Sequence, residues 1–387
     1  MDDLLKRAID SAASSGASYA DARFVDIHRE DIVVKNGAPD RIGRSREAGL
    51  GVRVIAGGSW GFAATDELTG EGADRCAAQA VEVARASTRV PGDPVELAPV
   101  EPVVDTWQTP YEENPLDIAL DVKLSTLAAC CREMQRSTKV KVAEGFFNAQ
   151  VMHKRFCSTE GADIRQTIVE TGGGLAARAI ADGEMQVRSY PSSFRGNVAT
   201  AGFEFFRGLD LESRAERLGA EAEALLSAPV CPAGRRDIVL EPSQLALQVH
   251  ESIGHPIELD RVLGTEAAFA GTSFLKPSDI DTLRYGSEHV NVVADATVPG
   301  GLGTFGYDDE GAPARRQPII TDGVFKGFLS DRQSAARLGL PVTGAMRACA
   351  FDAIPLVRMT NINLEPGEWS LDDLLADTED GLYLATN

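Results

Sequence analysis

Two-residue turn signals recur along this chain between runs of alternating apolar and polar residues, and they restrict it to a largely antiparallel β framework. Asn36-Gly37 lies between YADARFVDIHREDIVVK and APDRIG. Such a pair tolerates positive φ at both positions, as a tight hairpin turn requires. Gly57-Gly58 separates Val52 and Val54 from Trp60 and Phe62, and Asp322-Gly323 separates RQPIIT from VFKGFL. From Lys139 to about Phe206 the alternation repeats, with breaks expected at Glu160-Gly161, Gly172-Gly173-Gly174 and Asp182-Gly183, which predicts an antiparallel meander.

Helical patterns stand between these runs rather than alternating with single strands. MDDLLKRAIDSAASSGASYADAR reads as an alanine-rich amphipathic helix, without the basic start and apolar stretch of a signal peptide. Further helices are expected over about 70–86, 116–136 and 209–228. Runs of strands with a few helices point to an α+β fold: an N-terminal helix with antiparallel hairpins, a central strand-rich region, and a mostly-β C-terminal part. Val90 to Pro115 holds six prolines and neither periodicity, so it reads as an interdomain linker. The expected division is an N-terminal α/β domain (1–90), a linker (91–115), a central region of helix and antiparallel strands (116–230) and a C-terminal domain (231–387). The glycines at 172–174 and in GGLGTFG at 300–306 do not lead from a strand into a helix, so neither is a phosphate cradle.

Charge and cysteine usage exclude several function classes. A formal net charge of −20 repels phosphate backbones, and no Lys/Arg-rich run makes a local exception, so no nucleic-acid partner is expected. No apolar run approaches the roughly 18 residues of a membrane span. The six cysteines form no CxxC pair, which in a chain of 387 residues indicates reduced thiols and a cytoplasmic protein.

The stretch VHESIGHPIELD, Val249 to Asp260, carries the chemistry. On a regular helix a step of five residues turns about 500°, leaving His250 and His255 about 140° apart, too far to share one ion. Two features disrupt the helix here. Gly254 favours departure from helical dihedrals, and Pro256 pushes His255 toward an extended conformation. His255 can then swing back toward His250, and a π-bulge, which adds one residue to a turn, achieves the same convergence. Neutral imidazoles are good Zn²⁺ ligands, and a Zn²⁺ ion makes a water molecule acidic. Glu251, beside His250, is placed to act as general base. The competing reading is two unrelated histidines, one packed in a core and one bonded to a carbonyl at a helix end.

HESIGHPIELD is followed by VVADATVPGGLGTFGYDDEGAPARRQPIITDGVFKGFL and by IPLVRMTNINLEPG, and preceded far upstream by YADARF…GLGVRVIAGGSWGFAAT. Together these segments resemble the TldD/PmbA family of metallopeptidases, formerly labelled modulators of DNA gyrase, over nearly the whole chain. The resemblance implies a zinc-dependent peptidase of the TldD branch, with His250 and His255 as metal ligands and Glu251 as catalytic base. It also implies a homodimer, or a heterodimer with a PmbA/TldE-like subunit, acting on unfolded or extended polypeptides. The family's third ligand is a cysteine expected beyond residue 387, because GLYLATN at 381–387 reads as the middle of a domain. Cys349, Glu258 and Asp260 are the in-chain alternatives, and the third ligand stays unassigned. Asp308-Asp309-Glu310 reads as a solvated turn, Arg358 as a structural ion pair, and His28, His153 and His289 take no role.

The alternative function is a non-catalytic peptide-binding or dimerising subunit, since two histidines alone hold zinc poorly. A dipeptidyl peptidase III-like reading fails for want of a downstream EExxxD.

Overall fold

The hairpin signals act where they stand. The computed structural model describes residues 2–192 and 196–385. After helix α1 (Asp2–Ser14), strands β1 (Tyr19–Lys35), β2 (Ala38–Ala56) and β3 (Ser59–Thr65) run antiparallel. Asn36 and Gly37 sit at φ 51° and 79°, and Gly57 and Gly58 at 61° and 79°, the left-handed pairs that two-residue hairpins need. Helix α2 (Gly70–Ser87) starts where the Thr69 hydroxyl accepts from the Gly72 N–H, and its small buried residues Ala73, Ala77, Ala80 and Ala84 lie against β3 and α1.

The proline-rich stretch is not free chain. It contains β4 (Val104–Gln108), which pairs in parallel with a later strand, and its Ala98 and Val100 pack on Ala312, Ala335 and Val342 of the C-terminal part. Helix α3 (Leu120–Met134) leads to the long hairpin β5 (Val140–Ser158) and β6 (Asp163–Ala181). The meander continues through β7 (Glu184–Tyr190) and β8 (Asn197–Ala199), and helices α4 (Phe203–Gly208) and α5 (Leu211–Leu225) close this half.

One sheet takes in all eight strands, in the order β3-β2-β1-β5-β6-β4, with β7 and β8 also on β6. β1 pairs with β5 over its length, so the N-terminal and central regions share a continuous sheet. The glycine triad at 172–174 does not break β6; it lets neighbours come close. A Cβ on Gly172 would lie 2.4 Å from the Asn197 carbonyl, and one on Gly173 2.5 Å from the Phe206 ring.

The C-terminal part begins with β9 (Asp237–Leu240), α6 (Pro242–Val249) and a π-helical turn (His250–Gly254), followed by α7 (Leu259–Val262) and α8 (Ala267–Ala270). Strands β10 (Val292–Asp295), β11 (Arg316–Thr321) and β12 (Val324–Phe325) come next, then α9 (Arg332–Leu338), β13 (Met346–Arg347), β14 (Leu356–Val357) and β15 (Ile362–Leu364). Helix α10 (Leu371–Asp377) precedes β16 (Gly381–Leu384), which pairs in parallel with β9. A four-stranded sheet of order β12-β11-β10-β15 carries a core of Val292, Ile319, Ile320, Phe325 and Phe328, on which Val249, Ile253, Ile257 and Leu259 pack. The fold is α+β, as the pattern of runs predicts.

Asp308, Asp309 and Glu310 are buried, not a solvated turn, at 2%, 1% and 3% exposure. They sit between the large sheet and the C-terminal part, where Lys154 of β5 and Arg53 of β2 meet them.

Candidate metal centre

Two forces place the histidines. Glu241 accepts from the Ser243 N–H and Pro242 occupies the first helical turn, where its missing N–H costs nothing, so α6 starts directly after β9. At the other end of α6, the buried side chains of Val249, Ile253 and Ile257 hold the turn against the C-terminal core. Between them the backbone widens by one residue: the His255 N–H donates to the His250 carbonyl at 3.1 Å. That i+5 to i bond brings His255 round to the side of His250.

The backbone route is therefore the π-bulge rather than an extended His255. His255 keeps helical dihedrals, φ −67° and ψ −42°, despite the proline after it. Gly254 matters for space, not for its dihedrals. A Cβ there would come within 2.0 Å of the Met359 sulfur, so glycine lets the 359 segment close on the turn.

The imidazole rings of His250 and His255 lie 4.6 Å apart, nearly perpendicular. Ligand atoms of His250, Glu251 and His255 all fall within 4.8 Å of one another. Two nitrogen donors and a carboxylate at this spacing fit a divalent cation of borderline softness. His250 and Glu251 are exposed and His255 half-buried, so the group is open to solvent and to a substrate.

Two of the three alternative ligands, Glu258 and Asp260, are otherwise engaged. Glu258 is fully buried; its carboxylate accepts from Arg261 and the Met359 N–H, and one of its oxygens lies 3.2 Å from His255 Nδ1. Asp260 accepts from the Arg261 and Val357 N–H groups; burial, then neighbouring Glu266, pushes its carboxyl up to about 7. Cys349 is exposed and stands outside the His250–Glu251–His255 group. Arg358 pairs with Glu266 at 2.8 Å, the structural role expected of it. His28 and His153 face each other across β1 and β5, with ring centroids 6.3 Å apart, and neither belongs to the His250–Glu251–His255 group. Sequence reasoning weighed Glu258 only as a ligand and missed its contact with His255. The three-residue spacing on a helical segment was the available signal.

The chain matches the PmbA/TldA metallopeptidase domain 1 over residues 20–84 and the PmbA/TldA metallopeptidase C-terminal domain over residues 233–386. The chain belongs to the PmbA/TldD metallopeptidase family. A metalloprotease of Methanothermobacter thermautotrophicus is 30% identical over 366 residues, covering 95% of this chain and 76% of that protein. A zinc metalloprotease TldD homolog of Saccharolobus solfataricus is 25% identical over 390 residues, covering 98% of this chain and 79% of that one. Among solved structures, TldE from Thermococcus kodakarensis shares the fold with a TM-score of 0.74 at 18% identity, over 98% of this chain and 82% of that one. Membership of the PmbA/TldD family makes the chain a peptidase. Among the described residues no helix is long and apolar enough to cross a membrane.

Proposed function

We propose that this PmbA/TldD peptidase is zinc-dependent and hydrolyses peptide bonds in unfolded or extended polypeptides, with His250 and His255 holding Zn²⁺ and Glu251 serving as general base. The observation that carries the reading is the convergence of the three side chains within 4.8 Å on a π turn that a regular helix could not provide. A zinc ion bound there would acidify water and polarise the scissile carbonyl.

The chain's own residues supply the rest. The exposed Glu251 carboxylate, one residue after a ligand, is within reach of the attacking water; it takes a proton at its Oε and returns it to the departing amine. The buried Ile253 and Ile257 fix the turn, so the rings do not reorganise during turnover. Strand β15 forms one edge of the four-stranded sheet and starts three residues after Met359, whose side chain lies against Gly254. An extended substrate adding to that edge would be read through its backbone, which predicts broad sequence tolerance and a need for unfolded chains. The same reading makes the protein a cytoplasmic homodimer, or a heterodimer with a PmbA/TldE-like subunit; the TldE fold match supports the second form.

Cleavage of casein by wild type and Glu251→Gln, each assayed for bound zinc, tests the reading. Loss of cleavage with zinc retained supports it. Equal cleavage by the two proteins, or a wild type that holds no zinc, overturns it.

A further inference from the structure

His255 is held from behind by a buried pair, and the pair decides which ring nitrogen faces the cation. His255 Nδ1 lies 3.2 Å from Glu258 Oε2 and 3.2 Å from Arg261 Nη2. The two neighbours make opposite demands. A carboxylate oxygen accepts, so it calls for a proton on Nδ1; a guanidinium nitrogen donates, so it calls for a lone pair there. The first arrangement leaves Nε2 with a free lone pair for a metal ion. The second puts the proton on Nε2 and closes that position.

The surroundings select between them. Glu258 is 0% exposed and has no water to turn to, so its oxygens must be satisfied within the protein. Arg261 needs no acceptor from His255. Its Nε and Nη2 both donate to Glu258 Oε2, at 3.1 and 3.0 Å, and Glu266 lies 3.8 Å from Nη2. A lone pair on Nδ1 would face the carboxylate oxygen at 3.2 Å, two acceptors in a buried contact. With Nδ1 protonated, the ring and Arg261 converge as two donors on one anionic oxygen. Their own 3.2 Å separation then follows from sharing it. The Met359 N–H donates to the other oxygen, Oε1, and ties the carboxylate to the segment that packs on Gly254.

We infer that Glu258 is a positioning residue: it accepts a hydrogen bond from His255 Nδ1–H, fixes that tautomer and ring orientation before any metal arrives, and directs Nε2 toward His250 and Glu251, while Arg261 anchors the carboxylate. The inference rests on the proposed metal site and adds what orders it. Carboxylates behind ligating histidines are a general means of setting tautomer and basicity, and their loss typically weakens metal binding about 10–100-fold.

The wild-type protein decides the first half without any substitution. Nitrogen-15 spectra of the histidines, recorded on metal-free protein at about pH 8.5, where imidazole is neutral, report which ring nitrogen carries the proton. The expected result is Nδ1–H at His255; Nε2–H there overturns the inference, whatever the enzyme does. The second half is Zn²⁺ affinity measured by competition with a chelating dye. Glu258→Gln is expected to weaken it about 10–100-fold, and Arg261→Gln to leave the Nδ1–H tautomer in place. Unchanged Zn²⁺ affinity in folded Glu258→Gln, or a shift to Nε2–H in Arg261→Gln, overturns the inference. If Glu258→Gln fails to fold, the wild-type and Arg261→Gln spectra still decide. Wild-type protein that takes up no Zn²⁺ at all would instead defeat the metal-site reading itself, so the two failures are distinct.

Discussion

A triplet of acidic side chains and a single glutamate in this molecule have opposite surroundings. Asp308, Asp309 and Glu310 are buried between the large sheet and the C-terminal part. Lys154 meets Asp309 at 2.5 Å, Arg53 meets Glu310 at 3.0 Å and Asp21 at 2.8 Å, and the Arg332 N–H donates to Glu310 at 2.8 Å. Arg332 in turn grips Glu160 at 2.7 and 2.9 Å. Glu251 is exposed, beside a half-open pair of histidines. The first group is closed off from solvent: Lys154 and Arg53 meet Asp309 and Glu310, and backbone N–H groups donate to Asp308. The second contributes nothing to the core and points its chemistry outward. Acidity alone says little about function; what matters is whether the fold has already satisfied the charge.

The largest expected effect separates the two outright. Glu251→Gln should lower the rate of casein cleavage by about 10²–10⁴-fold, the usual contribution of a general base. Its unfolding free energy should stay within about 0.5 kcal/mol of wild type, as for an exposed substitution outside the core. A matched loss of stability in denaturant titration would place Glu251 in the fold instead.

Lys154→Met is the converse. It leaves the Asp309 carboxylate buried without its nearest cation, at a cost of roughly 3–5 kcal/mol, while cleavage per folded molecule is unchanged. Calorimetry and activity measured well below the melting temperature check both halves. A variant of wild-type stability would show that the seam at 308–310 does not hold the two parts together.

How much of this contrast could be read from the chain differs between the groups. The histidine pair was legible because its cause is local: HESIGH, a glycine and a proline lie within a few residues, and a π-bulge was one of two backbone solutions the spacing allowed. The other solution, an extended His255, fails because packing of Ile253 and Ile257 holds the segment helical through the proline. The acidic triplet was misread because nothing within ten residues reveals its burial. Its partners Arg53 and Lys154 come from strands more than 150 residues upstream, brought together only by the pairing of β1 with β5. The same pairing joins what the sequence divides at the proline-rich stretch. The hairpin turns were legible at every dipeptide. The glycine triad was not, because its reason is the approach of Asn197 and Phe206 from outside the strand.

A smaller effect tests the buried group through its protons. Burial, then Glu310, raises the Asp308 carboxyl to about 7, against the pull of the N–H groups of Glu310, Ala312 and Met346. In the unfolded chain it returns to about 4. A carboxyl whose folded value is raised keeps its proton longer in the folded state. Its favourable contribution is therefore full below about pH 4 and is lost as pH rises toward 8. Asp309 runs the other way: burial raises it, but Lys154 and Arg23 outweigh that and hold it below the usual range, so its contribution is lost only in acid. Unfolding free energy should thus fall by on the order of 2–4 kcal/mol between pH 5 and 8. Asp308→Asn should be less stable throughout, because an amide NH₂ would face the Met346 N–H, yet show a flatter slope over that range. Denaturant titrations at several pH values check this; an equal slope in both proteins would assign it to charges elsewhere.

The smallest effect sharpens the boundary of the proposed metal site. His153 Nδ1 lies 3.2 Å from the Thr167 hydroxyl on the exposed face of β5 and β6, and its ring meets His28 edge-on. Two histidines at 6.3 Å resemble a second site in outline. Yet His28 Nε2 already lies 3.2 Å from Asp26 Oδ1, and Arg46 takes the same carboxylate through both oxygens at 2.9 and 2.8 Å. With that carboxylate occupied by a guanidinium, the pair lacks a free anionic donor and resembles the satisfied seam at 308–310 more than the open turn at 250–255. His153→Ala should change stability by less than about 0.5 kcal/mol and leave zinc content and casein cleavage at wild-type levels. A lower zinc content in this variant would mean that the exposed histidines on the large sheet also take metal, and that a free carboxylate is not what distinguishes the two kinds of site.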